Sequence, residues 1–419
     1  MTQTMGTRRS IPVPNAGVWP GLLSAPHNAP RAAIAKVLVR AAVTKLPIRV
    51  MFPDGTWWGG GTAYSPQMVL HRPAHFFNRL GVDIKIGFGE AYMVGDWTTG
   101  PDTDLADLLL AFAERLQSLI PAPLQRLRGL VESMQPDDED NRIGQAERNI
   151  ARHYDLSNEL FENFLDPGML YSSALFEPGD DLQAAQVRKV ESVLDYARVG
   201  ADSDVLEIGT GWGQLAIQAA QRGAQVTSVT LSREQRDLAL QRISAAGVAD
   251  RVDVQLRDYR EVGGQYDAIV SVEMIEAVGE RYWPEYFQTV DRLLRPDGRF
   301  GLQSILMDHR AMMATRKSYT WIHKYVFPGG IIPSAYAIEQ TLQGHTSLQI
   351  LERRDFGRHY ARTLRLWRER FDERWEQVRA AGFDETFKRM WDFYLAYCEA
   401  GFASRYLSVA QFSIGRDAI

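Results

Sequence analysis

Asp204-Val205-Leu206-Glu207-Ile208-Gly209-Thr210-Gly211-Trp212-Gly213 is the stretch on which the fold turns. A β-prone apolar run ends on an acid and three alternating glycines, and a helical pattern, QLAIQAAQRG (214–223), follows directly. Glycines suit a tight strand-to-helix turn whose backbone a ligand approaches closely. Working outward, the strand-like runs QVTSVTL (225–231), VDVQLRD (252–258), YDAIVSVEM (266–274) and RFGLQSILM (299–307) are interleaved with helical ones such as REQRDLALQRISAAG (233–247). This alternation predicts an α/β fold with a parallel sheet covered by helices on both faces.

At 419 residues the chain exceeds what one core usually supports, so two domains are expected. Residues 1–30, rich in Pro, Gly and Asn, read as a disordered tail. Its Arg8-Arg9 pair is not an export signal, because Pro12, Pro14 and Asn15 break the apolar stretch a signal needs. Residues 31–135 read as a smaller N-terminal α+β domain. It holds a helix from Arg31 to Leu46, a hairpin turning on Asp54-Gly55, and an apolar helix from Asp104 to Ile120. The acidic, turn-prone run from Pro136 marks a linker over 136–145, and 146–419 form the ligand-binding domain.

Hydrophobic residues at 45% and charged residues at 24% describe a folded chain, and a net charge of −5 excludes the global basic field that would attract nucleic acid. Contact with a membrane surface would have to be local, at Lys36, Arg40 and Lys45 or around Arg126 and Arg128. The single cysteine, Cys398, rules out an intramolecular disulfide and a cysteine-rich zinc site. His71 and His75, with Pro73 between them and no acid or cysteine nearby, read as a surface loop, so no metal is expected. No apolar run approaches the ~20 residues of a membrane span. The expected location is cytoplasmic, with peripheral contact at the inner face of the membrane.

A nicotinamide-binding strand–turn–helix would space its glycines G-x-G-x-x-G and place an acid at the tip of the second strand. Here the spacing is G-x-G-x-G behind Glu207, and the second strand ends in Val229-Thr230-Leu231-Ser232 with no acid. That is the nucleoside-binding pattern of S-adenosylmethionine methyltransferases.

Further stretches narrow the class. They are His153-Tyr154-Asp155-Leu156-Ser157-Asn158-Glu159-Leu160-Phe161, Met169-Leu170-Tyr171-Ser172-Ser173, Thr230-Leu231-Ser232-Arg233-Glu234-Gln235, Asp258-Tyr259-Arg260, Glu273-Met274-Ile275-Glu276-Ala277-Val278-Gly279 and Lys324-Tyr325-Val326-Phe327-Pro328-Gly329-Gly330. In this order the chain resembles the cyclopropane-fatty-acyl-phospholipid synthases and mycolic acid methyltransferases from about residue 145 onward. A weaker match reaches back to Gly87-Phe88-Gly89-Glu90-Ala91-Tyr92-Met93. The resemblance implies a Rossmann-like class I methyltransferase with a mostly parallel seven-stranded sheet. It also implies that S-adenosylmethionine is held by Tyr171, Ser172, Glu207, Gly209, Gly211, Gly213, Thr230, Leu231, Gln235, Asp258 and Tyr259.

An isolated alkene is a weak nucleophile, so the sulfonium methyl must be held close and dry, and the resulting cation stabilised by aromatic faces and a carboxylate. Family members hold a bicarbonate ion as the base that then removes a proton. The resemblance places Glu276 in that cage, with Tyr154 also among the catalytic candidates. It puts Ser173 where a cysteine is usual, Gln303 where a histidine is usual, Arg368 where a tyrosine is usual, and Ala277 where a histidine usually follows the glutamate. Bicarbonate is therefore in question. With these departures the chain looks most like the actinobacterial subgroup that methylenates oleoyl phospholipid at carbon 10. The favoured product is a 10-methylene acyl chain, open to reduction by a separate enzyme; a cyclopropane product and a non-catalytic lipid-binding protein are the other readings. Oligomeric state, monomer or homodimer, is left open.

Overall fold

The computed structural model describes residues 14–115 and 157–416. The expected linker, Arg126, Arg128 and Tyr154 lie outside the described residues. The chain forms two compact units, and the smaller combines the N-terminal part with residues 319–321 and 382–397. Its sheet has the order β2-β1-β3-β4, with β1 Arg49–Met51, β2 Trp57–Trp58, β3 Gln67–Leu70 and β4 Trp97–Thr99. β1 and β2 are the expected hairpin: Val50 pairs with Trp58, Asp54 accepts from the Thr56 N–H at 2.9 Å, and Gly55 takes a φ of 83°. Asn28 and Asp104 cap the helices Ala29–Val43 and Leu105–Ala113 through their side chains.

Residues 14–28 form turns without regular elements, yet they are not a loose tail. Leu22 is buried, Arg79 donates to its carbonyl at 2.7 Å, and the Trp19 indole donates to Asp384 at 2.9 Å. The Gly87–Met93 stretch lies in the helix Ile84–Met93, where a Cβ on Gly89 would come within 2.5 Å of the Trp321 ring. Glycine there serves close packing rather than a ligand.

The larger unit holds a seven-stranded sheet in the order β10-β11-β9-β8-β5-β6-β7. Its strands are β5 Asp204–Ile208, β6 Gln225–Thr230, β7 Val252–Leu256, β8 Tyr266–Val272, β9 Leu294–Met307, β10 Gln349–Asp355 and β11 Leu407–Gly415. The first five pair in parallel, as their alternation with helices predicts, whereas β11 runs antiparallel to both β9 and β10. Side chains alternate across β5, so Val205 joins one core with Leu194, Leu215 and Ile243, while Leu206 and Ile208 join another with Phe287, Val290 and Leu342. Each such buried side chain is worth ~1.5–3 kcal/mol of transfer free energy. β5 lies between β8 and β6. The chain thus leaves β5 toward one side and later returns on the other, and at such a switch point a crevice opens beyond the strand ends.

The aromatic residues near the C-terminus divide between the units. Trp367, Phe371 and Trp375 are buried in the larger one and Phe387, Trp391, Phe393 and Tyr394 in the smaller, while Tyr397 is exposed.

Candidate active site

The carboxyl ends of β5, β6 and β7 carry most of the residues expected to meet the cofactor. Gly209, Gly211 and Gly213 all adopt positive φ, 98°, 52° and 87°, as the turn into the helix Gln214–Gln221 requires. A Cβ on Gly211 would meet nothing within 4 Å, so the backbone borders open space there and can accept a ligand in close approach. Glu207 is buried and accepts from the Ser228 hydroxyl, which itself lies 2.7 Å from the Thr210 hydroxyl. This acid thus fixes the glycine loop against β6, and burial pushes its carboxyl up to about 8.

Thr230 donates to the Gln235 side chain at 2.8 Å, and the Ser232 hydroxyl caps the helix Arg233–Ala245 at the Gln235 N–H. Leu231, half-buried, lies in the chain between β6 and that cap. Asp258 is held by Arg260 through both carboxylate oxygens, at 2.8 and 2.6 Å. Tyr259 is buried against Tyr286, with ring centroids 5.4 Å apart, and belongs to the core beneath the pocket.

Tyr171 stands among Phe161, Phe164 and Trp367, with centroids at 5.2, 6.0 and 5.3 Å. Asn158, in the same motif as Phe161, accepts from the Trp212 indole at 2.8 Å and so ties that motif to the glycine loop. Ser172 accepts from the Lys189 ammonium at 2.6 Å. Lys189 is fully buried; desolvation lowers it to about 8 against the charges of Glu273, Asp166 and Glu207.

Tyr360, with its ring centroid 6.1 Å from that of Trp367, links this wall to the first of two neighbouring carboxyl groups, Glu273 and Glu276. Glu273 follows β8 with a φ of 52°, rare for a residue with a side chain. Its Oε1 accepts from the Ser173 backbone N–H at 2.9 Å and from Gln303 Nε2 at 2.8 Å, and its Oε2 accepts from the Tyr360 hydroxyl at 2.7 Å. The Gln303 amide is oriented by Gln411, which donates to its oxygen at 3.0 Å. Glu276 Oε1 accepts from the Ser304 hydroxyl at 3.0 Å and from the Ile305 N–H, while its Oε2 is buried without a hydrogen-bond partner among the described residues. The loop carrying Phe327 to Gly330 packs behind it, with the Ile331 N–H donating to the Glu276 carbonyl at 2.8 Å.

Burial raises both carboxyls. For Glu273 the rise is opposed by Tyr360, Ser173, Gln303 and the Lys189 charge, whereas Glu276 is pushed further, to about 8, by Glu273 itself. Glu276 therefore keeps its proton at neutral pH, while the donors and the ammonium around Glu273 favour that group's charged form.

Of the expected catalytic side chains, the structure brings Ser173, Gln303 and Glu276 together. Ser173 contributes its backbone, since its hydroxyl donates to the Ala174 carbonyl at 3.1 Å. Among the described residues Arg368 forms an ion pair with Glu399 at 3.8 Å, which Arg365 also holds at 2.7 Å. Glu399, buried on the helix Glu385–Ala403, supplies a counter-charge to Arg368, the residue that stands where a tyrosine is usual. Sequence reasoning missed Glu273, Tyr360 and Lys189. The acids three residues apart in Glu273-Met274-Ile275-Glu276 were the available signal for the first; nothing in the local pattern marks the other two.

The model of the mycolic acid cyclopropane synthetase family matches residues 141–412. The chain is 48% identical over 410 residues, 95% of each chain, to the tuberculostearic acid methyltransferase UfaA1 of Mycobacterium tuberculosis. It is 34% identical to the cyclopropane-fatty-acyl-phospholipid synthase of Escherichia coli, over 88% of this chain and 95% of that one. Among solved structures, the mycolic acid cyclopropane synthase CmaA1 complexed with SAH and CTAB superposes with a TM-score of 0.59 at 27% identity, covering 67% of this chain and 99% of the other. The chain belongs to the mycolic acid cyclopropane synthetase family and is an S-adenosylmethionine-dependent methyltransferase.

Proposed function

We propose that the enzyme methylates the double bond of an unsaturated, oleoyl-type acyl chain in membrane phospholipid and releases a 10-methylene-branched chain. The observation that carries this reading is the Glu273 carboxyl, held by Ser173, Gln303 and Tyr360 next to an aromatic wall of Tyr171, Phe161, Phe164 and Trp367. A dry carboxylate and ring faces are what a carbocation on an aliphatic chain needs. The 48% identity with a tuberculostearic acid methyltransferase supports the same substrate class.

When bound, S-adenosylmethionine supplies the electrophilic methyl. Residues Gly209 to Gly213, Thr230 and Gln235 would hold its nucleoside, with Tyr171 and Ser172 toward its methionine end. The two buried aromatic helices, Asn158–Phe164 and Gly357–Glu373, exclude water from the alkene and present ring faces to the cation. Glu276, pushed up to about 8 and so neutral at ordinary pH, adds no second negative charge beside Glu273.

On the surface of the smaller unit, the helix Ala29–Val43 leaves Ile34 and Val37 exposed beside Arg31, Lys36 and Arg40, and Trp57 is exposed under Arg49. An apolar strip among basic residues supports peripheral attachment to anionic lipid at the inner face of the membrane. A methylene product would in turn be the substrate of a separate reductase.

The test is incubation of the purified protein with S-adenosylmethionine and vesicles of oleoyl phospholipid, followed by mass spectrometry and proton NMR of the acyl chains. A vinylidene signal is expected. High-field cyclopropane protons at the same mass would move the product to a ring, and no mass gain would sink the reading.

A further inference from the structure

The anion cage of this enzyme is filled from within the chain. A bicarbonate ion would need the donors offered around Ser173, Gln303 and the Ser304-Ile305 stretch of β9. The Ser173 N–H and Gln303 amide are bonded to Glu273, and the Ser304 hydroxyl and Ile305 N–H to Glu276. The Tyr360 hydroxyl completes the set on Glu273 Oε2 at 2.7 Å. A free anion would lose these donors and face the charge of Glu273. Bicarbonate does not fit.

A side-chain carboxylate has the same O–C–O geometry and the same charge as the ion it displaces. Glu273 reaches this place because its backbone adopts a φ of 52°, an arrangement that costs a residue with a Cβ ~1–2 kcal/mol and that local structure must over-determine. The Glu273 N–H donates to the Gln303 carbonyl at 2.8 Å, which pins that backbone to β9. Tyr360 lies about two turns nearer the N-terminus than Arg368 on the helix Gly357–Glu373, so the hydroxyl the cage requires comes from a different turn of the same helix.

We infer that Glu273 is the catalytic base, a built-in replacement for a bound bicarbonate, so that turnover needs no added anion. The inference rests on the methylation reading above. In the step it describes, the alkene π pair forms the bond to the incoming methyl, and the S–CH3 bond breaks with its pair kept on sulfur. A hydride then shifts from the methylated carbon to its cationic neighbour. Glu273 takes a proton from the new methyl, and the released C–H pair becomes the exocyclic C=C. Charge balances: a sulfonium and a carboxylate become a thioether and a carboxylic acid.

The experiment compares wild type, Glu273→Gln and Glu273→Gly in buffer stripped of carbon dioxide and in the same buffer with excess bicarbonate. Oleoyl phospholipid vesicles are the substrate, and S-adenosylhomocysteine release is the readout. Wild type is expected to turn over equally in both. Glu273→Gln should lose about 10²–10⁴-fold in both, the usual worth of a positioned base. Glu273→Gly, which tolerates the positive φ and frees the three donors, should be equally slow in stripped buffer and recover with bicarbonate. Calorimetric S-adenosylhomocysteine affinity close to wild type in both variants establishes that they fold. Broadening of the carbon-13 bicarbonate NMR signal by Glu273→Gly but not by wild type reports the cage directly. Bicarbonate dependence of wild type, or wild-type turnover by Glu273→Gln, overturns the inference. If wild type methylates no vesicle, the functional reading fails instead, and the carbon-13 contrast still decides whether Glu273 occupies the anion site.

Discussion

Tyr360 reaches Glu273 from the helix Gly357–Glu373, Gln303 from β9, and Ser173 from the segment before the helix Leu182–Tyr196. Three elements distant in sequence therefore converge on one carboxylate. A hydrogen bond to a charged acceptor is worth ~1.5–3 kcal/mol. Tyr360→Phe removes one such bond without opening space. If the charge on Glu273 matters to the reaction, kcat should fall about 10- to 100-fold, the rate equivalent of that energy, while S-adenosylhomocysteine affinity is unchanged. Unchanged kcat would mean that Tyr360 only packs against Phe402, which it faces with centroids 4.4 Å apart.

The turn from β5 into the helix Gln214–Gln221 separates two uses of glycine. At Gly209 a Cβ would lie 2.6 Å from Met274 Cγ on a backbone with φ of 98°, so Gly209→Ala should cost ~1–3 kcal/mol of stability, read as a lower melting temperature. At Gly211 the Cβ would enter open space, and only the φ of 52° opposes it at ~1–2 kcal/mol, so Gly211→Ala should melt modestly below wild type but bind S-adenosylhomocysteine at least about tenfold more weakly, by calorimetry. Equal affinity in the Gly211 variant would place the nucleoside elsewhere. This turn, and the parallel strands around it, were legible because periodicity and glycine spacing are local properties of the chain. β10 and β11 followed only from the resemblance, since their antiparallel pairing leaves no alternation with helices. Residues 382–397 read as part of the larger domain but belong to the smaller unit, a long-range choice that no local pattern encodes. Glu273 was in view within its motif. Its role depends on a positive φ and on donors contributed by residues as far off in sequence as Tyr360, and neither shows in a string of letters.

Taken whole, the larger unit holds more shielded acid than base around its core: Glu207, Glu273 and Asp166 act on the buried ammonium of Lys189, and Glu276 lies beside Glu273. That imbalance governs how folding stability depends on pH. Glu207 and Glu276 each lose their proton near 8 in the native protein, against an ordinary value of 4.5 for the unfolded chain. Between those limits the native state binds the extra protons, so the unfolding free energy falls as pH rises, by up to ~1.4 kcal/mol per unit for each group. Lys189 acts in the opposite sense and in a different window. Its native value is lowered to about 8 from 10.5, so above about 8 the unfolded chain binds the extra proton and this contribution rises with pH. The melting temperature should therefore fall between about pH 5 and pH 8 and level off beyond. Glu276→Gln fixes one of the two carboxyls in a neutral form, so its decline over the same range should be clearly shallower. A variant whose melting temperature tracks wild type across that window would show that the proton of the pair does not reside on Glu276, and with it would go the assignment of the charge to Glu273.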